Sequence, residues 1–178
     1  PPILSITRRS AVEPFHAMDV LAEANRLAAL GRPVISMAVG QPSDPAPRPV
    51  LEAARRALEG GRFGYTNALG IDVLKNRIAQ FYQEHYGAKV DPARIAVTTG
   101  SSSGFNLAFL AMFDAGDRVA ITRPGYPAYR NIMTALVIEV VEIPVGAGEG
   151  SLTAERLEEV HRAKPLKGLL FASPANPT

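Results

Sequence analysis

The chain has 178 residues, enough for one α/β domain with a core of its own. Its 19 Lys and Arg against 17 Asp and Glu leave a formal charge of +2, spread along the chain, which argues against a nucleic-acid-binding stripe. The absence of cysteine excludes a disulfide framework, a thiolate metal site and a cysteine nucleophile. No apolar run reaches membrane-spanning length and no signal-peptide pattern opens the chain, so a cytoplasmic protein without a membrane partner is expected.

Residues 1–14 are polar and irregular, with Pro1, Pro2 and Pro14, and read as an arm. Met18 to Ala29 has helical spacing and stops at Gly31. A short strand, Val34 to Val39, runs into Gly40-Gln41-Pro42, and the proline-rich segment up to Pro49 reads as a loop of fixed shape. Val50 to Leu58 is helical and ends in Gly60-Gly61. Ile71, Leu74, Ile78, Phe81 and Tyr82 fall on one face of the next helix, which ends near Gly87.

From Arg94 onward strands and helices alternate. The strands are Ile95–Thr98, Val119–Thr122, Val137–Ile143 and Gly168–Ala172. Between them lie helices over 102–113, about 126–135 and about 154–163, the last opened by Thr153 as its N-cap. Gly146 to Gly150 reads as a glycine-rich surface loop. Strands joined by crossover-length helices predict an α/β fold, a mostly parallel sheet with helices packed on both faces. The chain stops just after the buried-looking strand ending at Ala172, which points to the N-terminal part of a longer protein.

One junction carries chemistry. Ile95-Ala-Val-Thr-Thr99 delivers Gly100-Ser101-Ser102-Ser103 to the start of an apolar helix. The first N–H groups of a helix have no intrahelical acceptor and face the positive end of its dipole, so an anion is the natural guest. Gly100 lets the backbone approach closely, and the serine hydroxyls add donors. The expected guest is a phosphate.

Taken in order, Val39-Gly-Gln-Pro42, Tyr65-Thr66 with Gly70, the turn at Gly100-Ser101-Ser102, Arg123-Pro-Gly-Tyr-Pro-Ala-Tyr129 and Asn176-Pro-Thr178 resemble the class I/II aminotransferases. These are pyridoxal-phosphate-dependent enzymes of fold type I, and the resemblance spans the chain from about Ala11. It implies a three-layer large domain, here incomplete, preceded by an arm belonging to a small domain. Residues 1–44 would be the arm, helix and short strand of the small domain, and 45–178 the first part of the cofactor-binding domain.

The resemblance also implies roles. Gly100, Ser101 and Ser102 match the cradle for the phosphate of pyridoxal 5'-phosphate. Tyr126 matches the aromatic residue that stacks on the pyridine ring, a task suited to a flat π-face. Asn176 matches the asparagine that bonds the cofactor's phenolic oxygen and helps hold the substrate carboxylate; an amide donates there without adding a titrating charge. Gly40 matches the glycine lying against the substrate carboxylate. Tyr65 matches a tyrosine that reaches the partner subunit's cofactor phosphate, implying a homodimer. Amino-acid and 2-oxo-acid substrates follow. Tyr129 is expected to support Tyr126 or simply to pack.

Other features of the pattern lie outside the chain. Lysine occurs only at Lys75, Lys89, Lys164 and Lys167, and none has the setting of a catalytic amine. No catalytic residue is therefore assigned: the Schiff-base lysine, the aspartate for the pyridine nitrogen and the carboxylate-clamping arginine are expected beyond Thr178, and the 178 residues alone are expected to be inactive. His16, His85 and His161 have no metal-ligand spacing, so no metal is expected. Aspartate-preferring members carry Gly-Gly-Lys where this chain has Gly100-Ser101-Ser102 and threonine where it has Ala17, which weakens aspartate as substrate; Phe15 favours an apolar or aromatic side chain. Two alternatives stay open: a carbon–sulfur lyase or related synthase of the same fold, and a non-catalytic effector-binding module of a transcription regulator. A nucleotide-binding domain is disfavoured because no Gly-x-Gly-x-x-Gly follows the first strand.

Overall fold

A computed structural model describes residues 6–61, 63–146 and 151–177. Part of the glycine-rich loop (147–150) and the last residue of the Asn176-Pro-Thr178 motif lie outside the described residues. The chain divides into two compact units, His16–Thr98 and a second one formed by Pro1–Phe15 with Thr99–Thr178.

Among its described residues, the unit His16–Thr98 contains three α-helices, α1 (His16–Ala29), α2 (Arg48–Gly60) and α3 (Asp72–Tyr86), and a short 3-10 turn at Pro92–Arg94. The prolines before Val50 do not delay α2. Pro49 occupies its first turn, where the ring costs no hydrogen bond. α3 carries an aromatic cluster, with Phe81 stacked on His85 at 4.0 Å and edge-on to Tyr82 at 6.3 Å.

Two expected strands are absent from this unit. Val34–Val39 and Ile95–Thr98 form no ladder among the described residues, although Ile95 has extended dihedrals. The N–H of Val97 instead donates to the Leu69 carbonyl at 3.0 Å. β-branched composition makes a segment extended, but a strand exists only where a neighbouring strand completes its hydrogen bonds.

The other unit holds the sheet. Its elements are α4 (Ser101–Met112), β1 (Arg118–Arg123), α5 (Pro127–Ala135), β2 (Glu139–Pro144), α6 (Ala154–Ala163) and β3 (Gly168–Leu170). The strands are parallel in the order β2-β1-β3. Val119 pairs with Val140 on one side of β1 and with Gly168 on the other. β2 starts two residues later than expected, because Val137 adopts φ 62° in the turn that leaves α5.

Side-chain alternation along β1 builds the layers. Val119 and Ile121 face the α4–α5 side, in a core with Phe109 of α4, Met133 of α5 and Ile138. Arg118 and Thr122 point the other way, toward α6: Arg118 bonds the carbonyls of Lys164 and Pro165 just past its end, and Thr122 lines a cavity with its Leu157. A strand covered on both faces needs a continuous apolar run, and Val119-Ala-Ile121 is buried throughout. This is the expected α/β architecture: a parallel sheet flanked by helices. The N-cap also matches expectation: the Thr153 hydroxyl accepts the Arg156 N–H at 3.2 Å.

An ion-pair cluster fastens the amino ends of the strands. Arg118 and Lys164 both bind the Glu139 carboxylate, at 2.8 and 3.1 Å. The two cations, Arg118 first, hold that carboxyl below the usual carboxylate range.

Candidate functional site

In open α/β sheets, ligands bind beyond the carboxyl ends of the strands. Here that edge of β1 and β3 gathers several of the residues singled out from the sequence. Gly100 caps α4 with φ 86° and ψ 164°, a conformation that glycine adopts without strain. It leads into Ser101 and Ser102, both exposed, and the first turn of α4 carries no acidic residue. The remaining donors are ordered: Ser103 Oγ donates to the Thr99 carbonyl at 3.2 Å and lies 3.0 Å from Thr99 Oγ1. Asn106 Nδ2 donates to the Ser102 carbonyl at 3.1 Å. The outcome is a fixed helix N-terminus with hydroxyls and backbone N–H groups at the surface, able to hold an anion.

Tyr126 directly precedes α5 and is half-buried. Aromatic contacts tie it to α4. Tyr126 meets Tyr129 nearly perpendicularly at 5.3 Å, and Tyr129 meets Phe105 of α4 at 4.8 Å. Phe105 lies one turn beyond Ser101 and Ser102, so the aromatic string connects the helix N-terminus to the Tyr126 ring. Phe15 approaches Tyr126 as well, at 5.9 Å and 82°.

Asn176 lines a small cavity with Gly125, Tyr129 and the ends of β1 and β3. Tyr126 opens on another cavity of about 150 Å³, whose wall includes Arg123, Arg130 and Glu142. Both arginines face the same carboxylate, at 3.8 and 3.5 Å from Glu142. Gly100, Ser101, Ser102, Tyr126 and Asn176 thus belong to one unit, with Tyr126 and Asn176 at the carboxyl ends of its strands. Gly40 and Tyr65 belong to the other unit; a Cβ at Gly40 would meet nothing within 4 Å, and Tyr65 is fully exposed.

Two of the lysines have structural partners. Lys75 pairs with Asp72 at 3.0 Å within α3, and Lys164 pairs with Glu139 at the opposite end of the strands from Tyr126. Among the described residues there is no group of three or more His, Asp or Glu able to hold a metal ion, and no helix long and apolar enough to cross a membrane.

Two contributors had no reading from sequence. Phe105 looks like one more apolar residue of α4, although its partner Tyr129 follows Tyr126 at the helical i, i+3 spacing. Asn131 of α5 donates its Nδ2 to the Glu13 carbonyl at 3.0 Å. No local pattern announces a contact between residues 118 positions apart.

Comparison with known proteins places these residues in context. Residues 32–178 match the family described as aminotransferase class I and II. The chain is 51% identical over 175 residues to a valine–pyruvate aminotransferase of Mycobacterium tuberculosis, a match covering 97% of this chain and 44% of the relative. It is 34% identical over 165 residues to the (5-formylfuran-3-yl)methyl phosphate transaminase of Methanocaldococcus jannaschii, covering 93% of this chain and 42% of that one. Among solved structures, an aminotransferase from Mycobacterium tuberculosis superposes with a TM-score of 0.93 at 48% identity, over 98% of this chain and 45% of its own. An aspartate aminotransferase from Thermus thermophilus with maleate gives 0.89 at 33% identity, over 99% and 46%. The chain therefore spans somewhat less than half the length of these relatives.

Proposed function

Because the chain belongs to the class I and II aminotransferase family, we propose that the protein containing it is a pyridoxal-phosphate-dependent aminotransferase. It moves an amino group between an amino acid and a 2-oxo acid. The observation that carries this reading is the pairing, in one unit, of a glycine-capped helix N-terminus at Ser101-Ser102 with the ring of Tyr126 through Phe105 and Tyr129.

The residues fit the cofactor on physical grounds. A phosphate needs donors and no nearby carboxylate; the first turn of α4 offers hydroxyls and N–H groups and no acid. A pyridine ring needs a flat, partly exposed aromatic surface, and Tyr126 is half-buried at the strand ends. When bound, pyridoxal phosphate supplies the electron sink for the amino acid's α-carbon. Ser101 and Ser102 would hold the phosphate, Tyr126 would offer its face to the ring, and Asn176 would donate to the phenolic oxygen and steady the substrate carboxylate. Gly40 leaves room beside that carboxylate, and Tyr65 reaches the phosphate held by the other subunit of a homodimer. Residues 1–44 belong to the small domain and 45–178 to the large one, in a cytoplasmic enzyme. The 51% identical relative acts, by its name, on valine and pyruvate, and Phe15 beside Tyr126 suits an apolar side chain.

The test uses the complete protein. With pyridoxal phosphate bound, it should transfer the amino group of valine to pyruvate. Tyr126→Ala should weaken cofactor retention by about 1–3 kcal/mol, the scale of a lost aromatic contact. Transfer without added or bound pyridoxal phosphate, or unchanged retention in the variant, would count against the assignment.

A further inference from the structure

The N-terminal arm enters the site through three separate attachments. Its single helical turn, Arg8–Ser10, packs on α5. Asn131, on the same helix, donates to the Glu13 carbonyl at 3.0 Å. Phe15 then places its ring against Tyr126 at 5.9 Å, with the two planes at 82°. The arm also holds its own shape: Ser10 Oγ donates to the Thr7 carbonyl at 2.7 Å, and the Val12 N–H to the Ser10 carbonyl at 2.9 Å.

A tyrosine that precedes a helix is free to turn about χ1 and χ2 unless neighbours stop it. Tyr129 supplies one stop, and it comes automatically with the helix, three residues along. Phe15 supplies another, and it exists only while the arm is docked. Edge contacts between rings are directional, so losing one loosens the orientation of Tyr126 and not merely its burial. The Asn131 bond keeps the arm's backbone in register two residues before Phe15.

We infer that Phe15 is a positioning residue: the arm, latched to α5 by Asn131, presses Phe15 against Tyr126 and sets the angle at which that ring meets the cofactor. This rests on the stacking role proposed for Tyr126. Phe15 touches neither the reacting atoms nor the phosphate cradle in this scheme, so its effect on cofactor retention passes through Tyr126, whatever it adds to the choice of substrate side chain.

The experiment uses the complete holoenzyme with pyridoxal phosphate. Two readouts are taken: the rate at which the cofactor dissociates into excess scavenger, and the circular dichroism of the bound cofactor's visible band, which reports the asymmetry of its ring environment. Phe15→Ala should raise the dissociation rate about three- to tenfold, the size of one aromatic edge contact, and change the dichroic band. Phe15→Tyr keeps the ring edge and should restore both. Asn131→Ala, which removes no ring but releases the arm that carries Phe15, should shift both readouts in the direction of Phe15→Ala, and the double variant should add little to the single one. Wild-type dissociation and dichroism in Phe15→Ala, alongside cofactor loss in Tyr126→Ala, would overturn the positioning role and leave the stacking role standing. Full cofactor retention in Tyr126→Ala would overturn both.

Discussion

Gly168 opens β3 directly against an aromatic ring. A Cβ added there would lie 2.7 Å from both Cε1 and Cζ of Phe113 and 4.0 Å from Val119 Cγ1. Carbon atoms rest at about 3.5–4.0 Å, so in Gly168→Ala the Phe113 ring must retreat by about 1 Å. Its freedom to do so is limited, because Phe113 packs against the cluster built on Phe109 and Val119 and meets the Phe109 ring at 6.2 Å. Two effects oppose each other. Overpacking of this kind costs about 1–3 kcal/mol, whereas replacing glycine stiffens the unfolded chain and returns about 0.4–1 kcal/mol. Overpacking wins, for a net loss of about 1–2 kcal/mol. The measurement is the urea midpoint of the complete protein at fixed protein and cofactor concentration, since bound ligand and subunit association both move apparent stability. In a Phe113→Leu background the same alanine should cost clearly less, because the obstructing ring tip is gone. A Gly168→Ala midpoint equal to or above wild type would refute the packing argument, and so would identical costs in the two backgrounds.

Thr153→Ala removes the acceptor for the Arg156 N–H and should cost about 1 kcal/mol by the same midpoint, with Thr153→Ser largely neutral. Glu139→Gln should remove a pH-dependent contribution. The carboxyl's folded pKa is depressed, first by Arg118 and then by Lys164, so its contribution is present above the ordinary carboxylate value and lost as pH falls through the folded one. The stability gap between wild type and Glu139→Gln should therefore be steady near neutral pH and close on acidification, and added salt should narrow it because the group is exposed. Tyr65→Phe should speed cofactor loss from the complete protein without changing its urea midpoint at saturating cofactor, if that hydroxyl serves the phosphate across a subunit interface. Equal retention would remove the role.

The large-scale fold was legible because the relevant signals are local. Thr153 marked the start of α6, and the run Val119-Ala-Ile121 marked a strand buried on both faces. What failed was pairing. Ile95–Thr98 has the composition of a strand but none of the ladder, since hydrogen-bond partners are a property of other segments and not of its own residues. Val137 missed for a different reason. A β-branched residue is a poor candidate for φ 62°, yet the turn out of α5 imposes it, through Gly116 donating to the Val137 carbonyl at 2.8 Å and Ile138 donating to the Met133 carbonyl at 2.9 Å.

The site divides along the same line. Gly100-Ser101-Ser102 could be read directly, because a glycine entering a helix start is a pattern of adjacent residues whose physics is complete within one turn. Tyr126 and Asn176 could be picked out only through resemblance, as nothing in their immediate neighbours distinguishes an active tyrosine or asparagine from a packed one. Phe15 was legible as an apolar residue near an entrance, but not as a neighbour of Tyr126, and Asn131 was not legible at all. Those two share a cause: each makes its contact with a residue more than a hundred positions away. Segment-by-segment reading finds the groups that touch a ligand when one turn builds them. The residues that hold such groups in place are recruited from wherever the fold brings them, and here it brings Phe15 from more than a hundred residues before Tyr126 and fastens it through Asn131.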